Sequence, residues 1–291
     1  MLPSEILTVA SLASFVALAL AGSPPSPVPA LGLAALAGAT VALARRQAPG
    51  AFARTWFAVV TVVVTFSLLE PVIVGVNPRT FDARLAALDA RWFAPVLEAW
   101  RGALGRPPAF TDLVHVAYVS YYFLPLLAVA LAWARGPDAL ERTTFALLLA
   151  FYATYAGYLL LPAAGPRLPL AEEAAVIGGG AVSEAVRAFL HAAEKTRLDA
   201  FPSGHTAVAL LSAWAAGRSA PRLALPVLAW AALVVFSTVY IHVHYVVDVV
   251  AGAALAGAVV LCAEPLRRAL EVAAASVTRR LAGTPPRAEG A

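Results

Sequence analysis

Charge is scarce in this chain, and lysine and cysteine are almost absent. Only 13% of its 291 residues are charged, 61% are apolar and the mean hydropathy is +0.78. A soluble domain is about a quarter charged and about half apolar, so water-soluble domains of this length could not hide so much apolar surface. A bilayer can. The one cysteine, Cys262, rules out an intramolecular disulfide and leaves the redox compartment undefined. Lys195 is the only lysine, so the formal net charge of +4 is carried by arginine. These arginines are scattered at the ends of apolar runs. That is how membrane proteins anchor and orient their helices, and it argues against a nucleic-acid partner.

A spanning helix needs about 20 mostly apolar residues. Eight stretches qualify, at residues 6–21, 28–44, 55–76, 113–134, 143–162, 206–220, 223–241 and 246–263. The expected fold is therefore all-α, a polytopic membrane helix bundle of about eight transmembrane helices. The first stretch could be read as a signal peptide. However, Glu5 precedes its apolar core, no basic residue does, and Gly22-Ser23-Pro24-Pro25 offers no persuasive cleavage site, so a retained span is expected. The sixth stretch is short and alanine-rich, and its place between two motif-bearing loops is what marks it as a span.

Two connections are long. Residues 77–112 carry Phe81, Leu85, Leu88, Trp92, Val96 and Trp100 at three- and four-residue intervals, with Arg84, Asp89, Arg91 and Glu98 between them. This is an amphipathic helical period. It suits a helix lying in the membrane interface, or an ordinary helix packed on the protein. Residues 163–201 carry a second helix-like stretch over 183–195. Residues 265–291 are expected to form a disordered cytoplasmic tail, most plainly after Arg279, where Gly, Thr and paired prolines follow. With eight spans, the face holding both termini has roughly twice as many arginines as acids, whereas the other is balanced. The balanced face, which bears both long connections, is expected outside the cytoplasm.

Three loops converge on that face. The fifth span ends in Pro162-Ala163-Ala164-Gly165-Pro166-Arg167, the sixth opens with Pro202-Ser203-Gly204-His205, and Tyr240, His242, His244 and Asp248 join the seventh to the eighth. Ionisable groups at membrane depth are costly, which makes His205, His244 and Asp248 functional candidates. His244 and Asp248 are four apart and share one helix face. The carboxylate can fix one imidazole nitrogen and leave the other as nucleophile or base. Pro-Ser-Gly at a helix start presents unpaired N–H groups to an anion: Gly204 permits close approach and the Ser203 hydroxyl can donate. Arg167 can offer its planar fork to phosphate oxygens. Each feature also has an ordinary explanation: a packed histidine, a common helix cap, a proton relay or half a metal site, an anchoring arginine. Their coincidence on one face, in three successive loops, favours a site.

The chain resembles the type 2 phosphatidic acid phosphatase superfamily. That family's second motif stands intact at Pro202–His205. Its third motif matches His244 and Asp248, with Ser237 at its opening serine. The resemblance covers about residues 55–263. It implies a six-helix catalytic core over 55–264, preceded by two added transmembrane helices in 1–54. It also implies His244 as a nucleophile forming a phosphohistidine, Asp248 as its orienting partner and His205 as general acid. Arg167, Ser203 and Gly204 would bind phosphate, with no metal and no cofactor. Two family cations are missing, since Leu160 and Thr238 stand in their places, and Tyr240 or His242 is the candidate accessory contact. Tyr152, Tyr155, Tyr158, Pro162, Pro166, Arg167 and His244-Tyr245 are similar to the inositol phosphorylceramide synthase branch.

The leading expectation is a metal-independent phosphatase acting on lipid phosphates. The alternative is a lipid phosphotransferase passing a phospho-headgroup to an alcohol. A transporter with a His/Asp proton relay would spread ionisable groups through the bilayer, whereas here they cluster. A tethered haloperoxidase is disfavoured by the eight spans. The expected partners are a lipid phosphate and the bilayer, and the number of subunits is not fixed by the sequence. The alanine and arginine bias fits a bacterial cytoplasmic membrane.

Overall fold

The computed structural model describes residues 1–22, 26–49, 51–193 and 196–281. Among these residues there are twelve α-helices and no strand, only an isolated parallel bridge between Ala163 and Asp199. The helices are α1 (Pro3–Ala21), α2 (Val28–Arg46), α3 (Phe52–Val76), α4 (Asp82–Leu104), α5 (Pro108–Ser120), α6 (Leu124–Trp133), α7 (Pro137–Leu160), α8 (Leu170–Ile177), α9 (Ala181–Ala193), α10 (Gly204–Ser219), α11 (Ala224–Tyr240) and α12 (Val246–Leu281). The fold is the expected all-α polytopic bundle.

Seven segments among the described residues are long and apolar enough to cross a bilayer. They are α1, α2, α3, α5 joined to α6, α7, α11 with its leading turn, and α12. The α5–α6 span is continuous through a 3-10 turn, Tyr121–Phe123. Pro125 enters there without an N–H to give, and the helix tightens locally in response. The sixth stretch of the sequence is α10, whose 16 residues are too few to span by length alone. It nevertheless runs alongside α11, which returns after the turn Pro221–Leu223 to bring His244 back beside His205.

The alanine richness of α10 follows from its place at the centre. It packs against α6, α7, α11 and α12, and Ala207, Ala209, Ala213, Ala215 and Ala216 are buried along it. Lipid is as apolar as leucine, so close backbone approach through small side chains is what binds helices together here. Large apolar side chains on the outer helices instead face outward, among them Leu225, Val63, Leu31 and Leu261.

The amphipathic stretch forms α4, which packs on the protein through one face. Leu85 packs with Ala163, Ala200 and Val247, whereas Leu88, Trp92 and Val96 on another face are exposed. The helix expected over 183–195 is α9, and Lys195 lies outside the described residues. One expectation needs correction. The segment from 265 does not leave the bundle as a disordered tail, because α12 continues unbroken to Leu281. Arg267 donates to Glu264 at 2.9 Å and to Glu271 at 3.3 Å, and Arg268 to Glu264 at 2.6 Å. Such three- and four-residue pairs carry a helix past its apolar section and past Pro265. Residues 282–291 lie outside the described residues.

The leading helices are fastened by charge at the end of the bundle remote from His205. The Glu141 carboxylate on α7 accepts from the Ser4 amide at 2.8 Å and the Ser4 hydroxyl at 2.7 Å, and Arg54 donates through Nε to Glu5 at 2.6 Å. Glu141 and Ser4 are both buried, so losing the acceptor strands two donors. Glu141→Ala should therefore cost about 2 kcal/mol of stability. This would be read as a lower melting temperature in detergent, with Glu141→Gln losing less because it keeps one acceptor.

Candidate active site

The site is assembled from three loop–helix junctions. Ser203 caps α10, its hydroxyl oxygen accepting from the Thr206 amide at 3.2 Å and from the Thr206 hydroxyl at 3.0 Å. The one proton of that hydroxyl is still available to a ligand. The Ser203 amide donates to the Asp248 carbonyl at 3.0 Å, which ties the start of α10 to the start of α12. Gly252 lies under the same turn, where a Cβ would come 3.0 Å from the Thr206 Cβ and collide with the Ser203 carbonyl. Gly204 has no room for a side chain either, since the Tyr158 hydroxyl stands 2.5 Å from where its Cβ would be.

The loop between α11 and α12 folds back on Thr238, whose carbonyl accepts from the amides of Val243 at 2.9 Å and His244 at 3.1 Å. His242 sits there in the left-handed region, at φ 61°. Gly165, at φ 78°, presses its backbone against the Val243 carbonyl. A side chain there would clash and also strain the backbone. This contact holds the Arg167 loop against the His244 loop.

His205, His244 and Asp248 form a line. His205 Nδ1 is 3.3 Å from His244 Nε2, and His244 Nδ1 is 3.5 Å from Asp248 Oδ2. The second separation is longer than a good hydrogen bond. Asp248 Oδ2 is also held by the Tyr245 amide at 2.9 Å. One proton arrangement satisfies the line: Nδ1–H of His244 toward the carboxylate, and Nδ1–H of His205 toward the lone pair on His244 Nε2. All three are buried, at 9%, 2% and 0% exposure, which keeps water from competing for these contacts. The His205 ring lies between Tyr118, stacked at 4.7 Å, and Tyr121 at 4.3 Å. The neighbouring Tyr245 phenol is pushed up to about 12 by burial and by the Asp82, Asp248 and Asp89 carboxylates, so it stays neutral.

Arg167 donates to Asp199 Oδ1 at 2.8 Å, both side chains mostly buried. It lines a cavity with Tyr118, Arg187, His191, Arg197 and His242. His242, the candidate accessory contact, is thus beside Arg167. Tyr240 is not. Its hydroxyl lies 2.8 Å from Thr111 Oγ1, and its ring packs among Trp100, Phe110 and Phe236. It serves the core beneath the loop. Leu160 is 71% exposed, and Thr238 is fully buried with its hydroxyl given to the Val235 carbonyl.

Two carboxylates that sequence reasoning passed over hold the loops in place from α4. Asp82 Oδ1 accepts from the amides of Ala164 at 3.0 Å and Gly165 at 2.9 Å, and Asp89 accepts from the Val247 amide at 3.0 Å. Asp82, Leu85 and Asp89 are spaced three and four apart, so they share one face of the helix. That spacing was the available signal.

A family model described as the PAP2 superfamily matches residues 83–262, more than half of the chain. The chain belongs to the PAP2 superfamily. No curated protein and no solved structure matches it. As a PAP2 protein it falls in a class of membrane phosphatases and phosphotransferases, and it is a multi-pass membrane protein. The matched region runs from α4 through most of α12's apolar section and omits α1–α3. The structure nevertheless ties α3 to the rest. The Tyr155 hydroxyl donates to the Val62 carbonyl at 3.1 Å, and the Thr196 hydroxyl to the Phe66 carbonyl at 2.7 Å.

Proposed function

We propose that this protein is a metal-independent lipid phosphate phosphatase working through a phosphohistidine on His244. The observation that carries this reading is the buried Asp248–His244–His205 line beside the capped start of α10. Asp248 orients His244 so that Nε2 attacks phosphorus, and the forming imidazolium is balanced by the carboxylate. The bond from phosphorus to the lipid oxygen breaks, and His205, entering this step as an imidazolium, gives that oxygen a proton and is left neutral. His205 then takes a proton from water, whose oxygen attacks the phosphohistidine, and inorganic phosphate leaves with His244 restored. In-line transfer sets nucleophile and acid on opposite sides of phosphorus, so their 3.3 Å contact must open as a phosphate enters.

The phosphate oxygens are received by Arg167, the Ser203 hydroxyl and the backbone at Gly204. The two missing family cations are replaced, in this reading, by Arg187, Arg197 and His242 around the cavity that Arg167 lines. His242 comes from the α11–α12 loop, Arg197 from the segment after α9, and Arg187 from α9 itself, which carries no motif. Its seat is set by Asp112 of α5, whose Oδ1 accepts from the Gly180 amide at 2.8 Å and the Ser183 amide at 2.9 Å.

The site lies on the extracytoplasmic face of a cell membrane, as the arginine count supports, in a cell whose composition suits a bacterium. A lipid reaches it sideways through the bundle. The same phosphohistidine could pass its phosphoryl group to an alcohol, as in the inositol phosphorylceramide synthase-like branch, and the Tyr152/Tyr155/Tyr158 pattern favours keeping that second reading.

The test is phosphate release from a panel of lipid phosphates by the purified protein in detergent with EDTA, with and without inositol or other alcohols. Release that survives EDTA and ignores alcohols is expected. Headgroup-bearing lipid products would give the transferase, and loss of activity on chelation would overturn metal independence. Asp82→Ala should slow release by up to about a hundredfold, because it frees the loop that carries Arg167. Asp82→Asn, which keeps one acceptor for the Gly165 amide, should lose less. Equal rates for the two variants and the unmodified protein would show that α4 only covers the site.

A further inference from the structure

The end of the bundle opposite the histidines holds a second, unassigned cavity. It lies between the α6–α7 turn, the start of α7, the end of α10 and the middle of α12, and has a volume of about 520 Å³. It is about 20 Å from the histidines along α10 and α12, at 1.5 Å per residue, and shares no residue with the proposed site. Four guanidinium groups line it, from Arg135, Arg142, Arg218 and Arg267, against two carboxylates, Asp138 and Glu264. The acids are already engaged: Asp138 pairs with Arg142, and Glu264 with Arg267 at 2.9 Å. Among the described residues Arg135 and Arg218 form no ion pair, so the cavity has two positive groups to spare. The first turn of α7, following Gly136 at φ 107°, adds the positive end of a helix dipole.

The same cavity has an apolar side. Trp214 lies 37% exposed with the Arg218 guanidinium 5.2 Å over its ring, and Phe145, Val260 and Ala263 complete the wall. A tryptophan beside an arginine at a helix end belongs at the level of lipid headgroups. The membrane therefore delivers a ligand here at very high local concentration, one with a phosphodiester for the guanidinium groups and chains for the apolar wall. A zwitterionic headgroup would bring its own cation into an already positive cavity; an anionic one would not. We propose that this cavity is a binding site for one anionic phospholipid, its phosphodiester held by Arg135 and Arg218 and its chains lying along Trp214 and Val260.

The experiment is native mass spectrometry of the full chain in detergent after equilibration with equal amounts of phosphatidylglycerol and phosphatidylcholine of the same chain length. Retention of one phosphatidylglycerol, favoured about tenfold, is expected from two arginines near the surface. Arg135→Gln with Arg218→Gln should bring the preference to near one, with the lipid-free melting temperature unchanged. If that pair proves unstable, Arg218→Gln alone should lower the preference several-fold while Arg218→Lys keeps most of it. Inorganic phosphate at matched ionic strength should not displace the lipid. Equal retention of both lipids, a preference that survives the double variant, or displacement by free phosphate would overturn the proposal. The readout is lipid retention, so it stands apart from whether the histidines carry a phosphatase.

Discussion

His244→Ala should eliminate phosphate release, lowering kcat by about 10⁴-fold or more. Removal of a covalent nucleophile leaves only what binding and positioning supply. The imidazole is 2% exposed, with Asp248 on one nitrogen and His205 on the other. Truncation to alanine also opens a small polar gap, so the check pairs kinetics with a melting curve, and His244→Gln serves as a near-isosteric second variant. A direct signature is available as well. Protein incubated with a ³²P-labelled lipid phosphate and quenched in alkaline detergent should retain label that survives alkali and is lost in acid, and that is absent from both variants. A variant that melts normally and keeps full activity would remove the phosphohistidine from the mechanism.

The second large effect concerns His205, and leaving-group chemistry makes it diagnostic. His205→Ala should cost about 10² to 10⁴-fold on a lipid phosphate, whose alkoxide needs a proton to depart. On an activated aryl phosphate, whose phenolate leaves unaided, the loss on the first step should shrink to about tenfold. A residue that merely packs would slow both substrates alike. The packing role is real, because the ring is held between Tyr118 and Tyr121. His205→Ala leaves a void there, and His205→Asn, which fills part of it, keeps the comparison interpretable. Equal losses on the two substrates would return His205 to a structural part and leave proton delivery to another group.

The helices were legible because burial in lipid removes the alternation between inside and outside. A continuous apolar run has one solution, a helix that satisfies its own backbone. The motif residues were legible for the converse reason, since polar groups are costly at that depth and stand out. Other features stayed hidden for physical reasons that can be named. The central position of α10 could not be inferred from its own weak hydropathy, because alanine is chosen for close packing against four neighbours and not for contact with lipid. Tyr240 read as a plausible phosphate contact because it precedes the motif. The direction of its side chain depended on Thr111, more than a hundred residues away. The tail beyond residue 265 read as disordered, yet the Glu264–Arg267–Glu271 ladder continues the helix through Pro265.

The sequence by itself determined that this is a membrane helix bundle, and it placed His205, His244, Asp248 and Arg167 at one end of it, because spacing and hydropathy are local properties. The tertiary structure alone decided how those residues meet. The 3.3 Å contact of the two imidazoles, the Gly165 backbone against Val243, and Asp82 and Asp89 reaching from α4 join parts of the chain that lie far apart in sequence. Such contacts leave no local period to read. They exist only once the helices have packed and the buried amides of the loops have found acceptors.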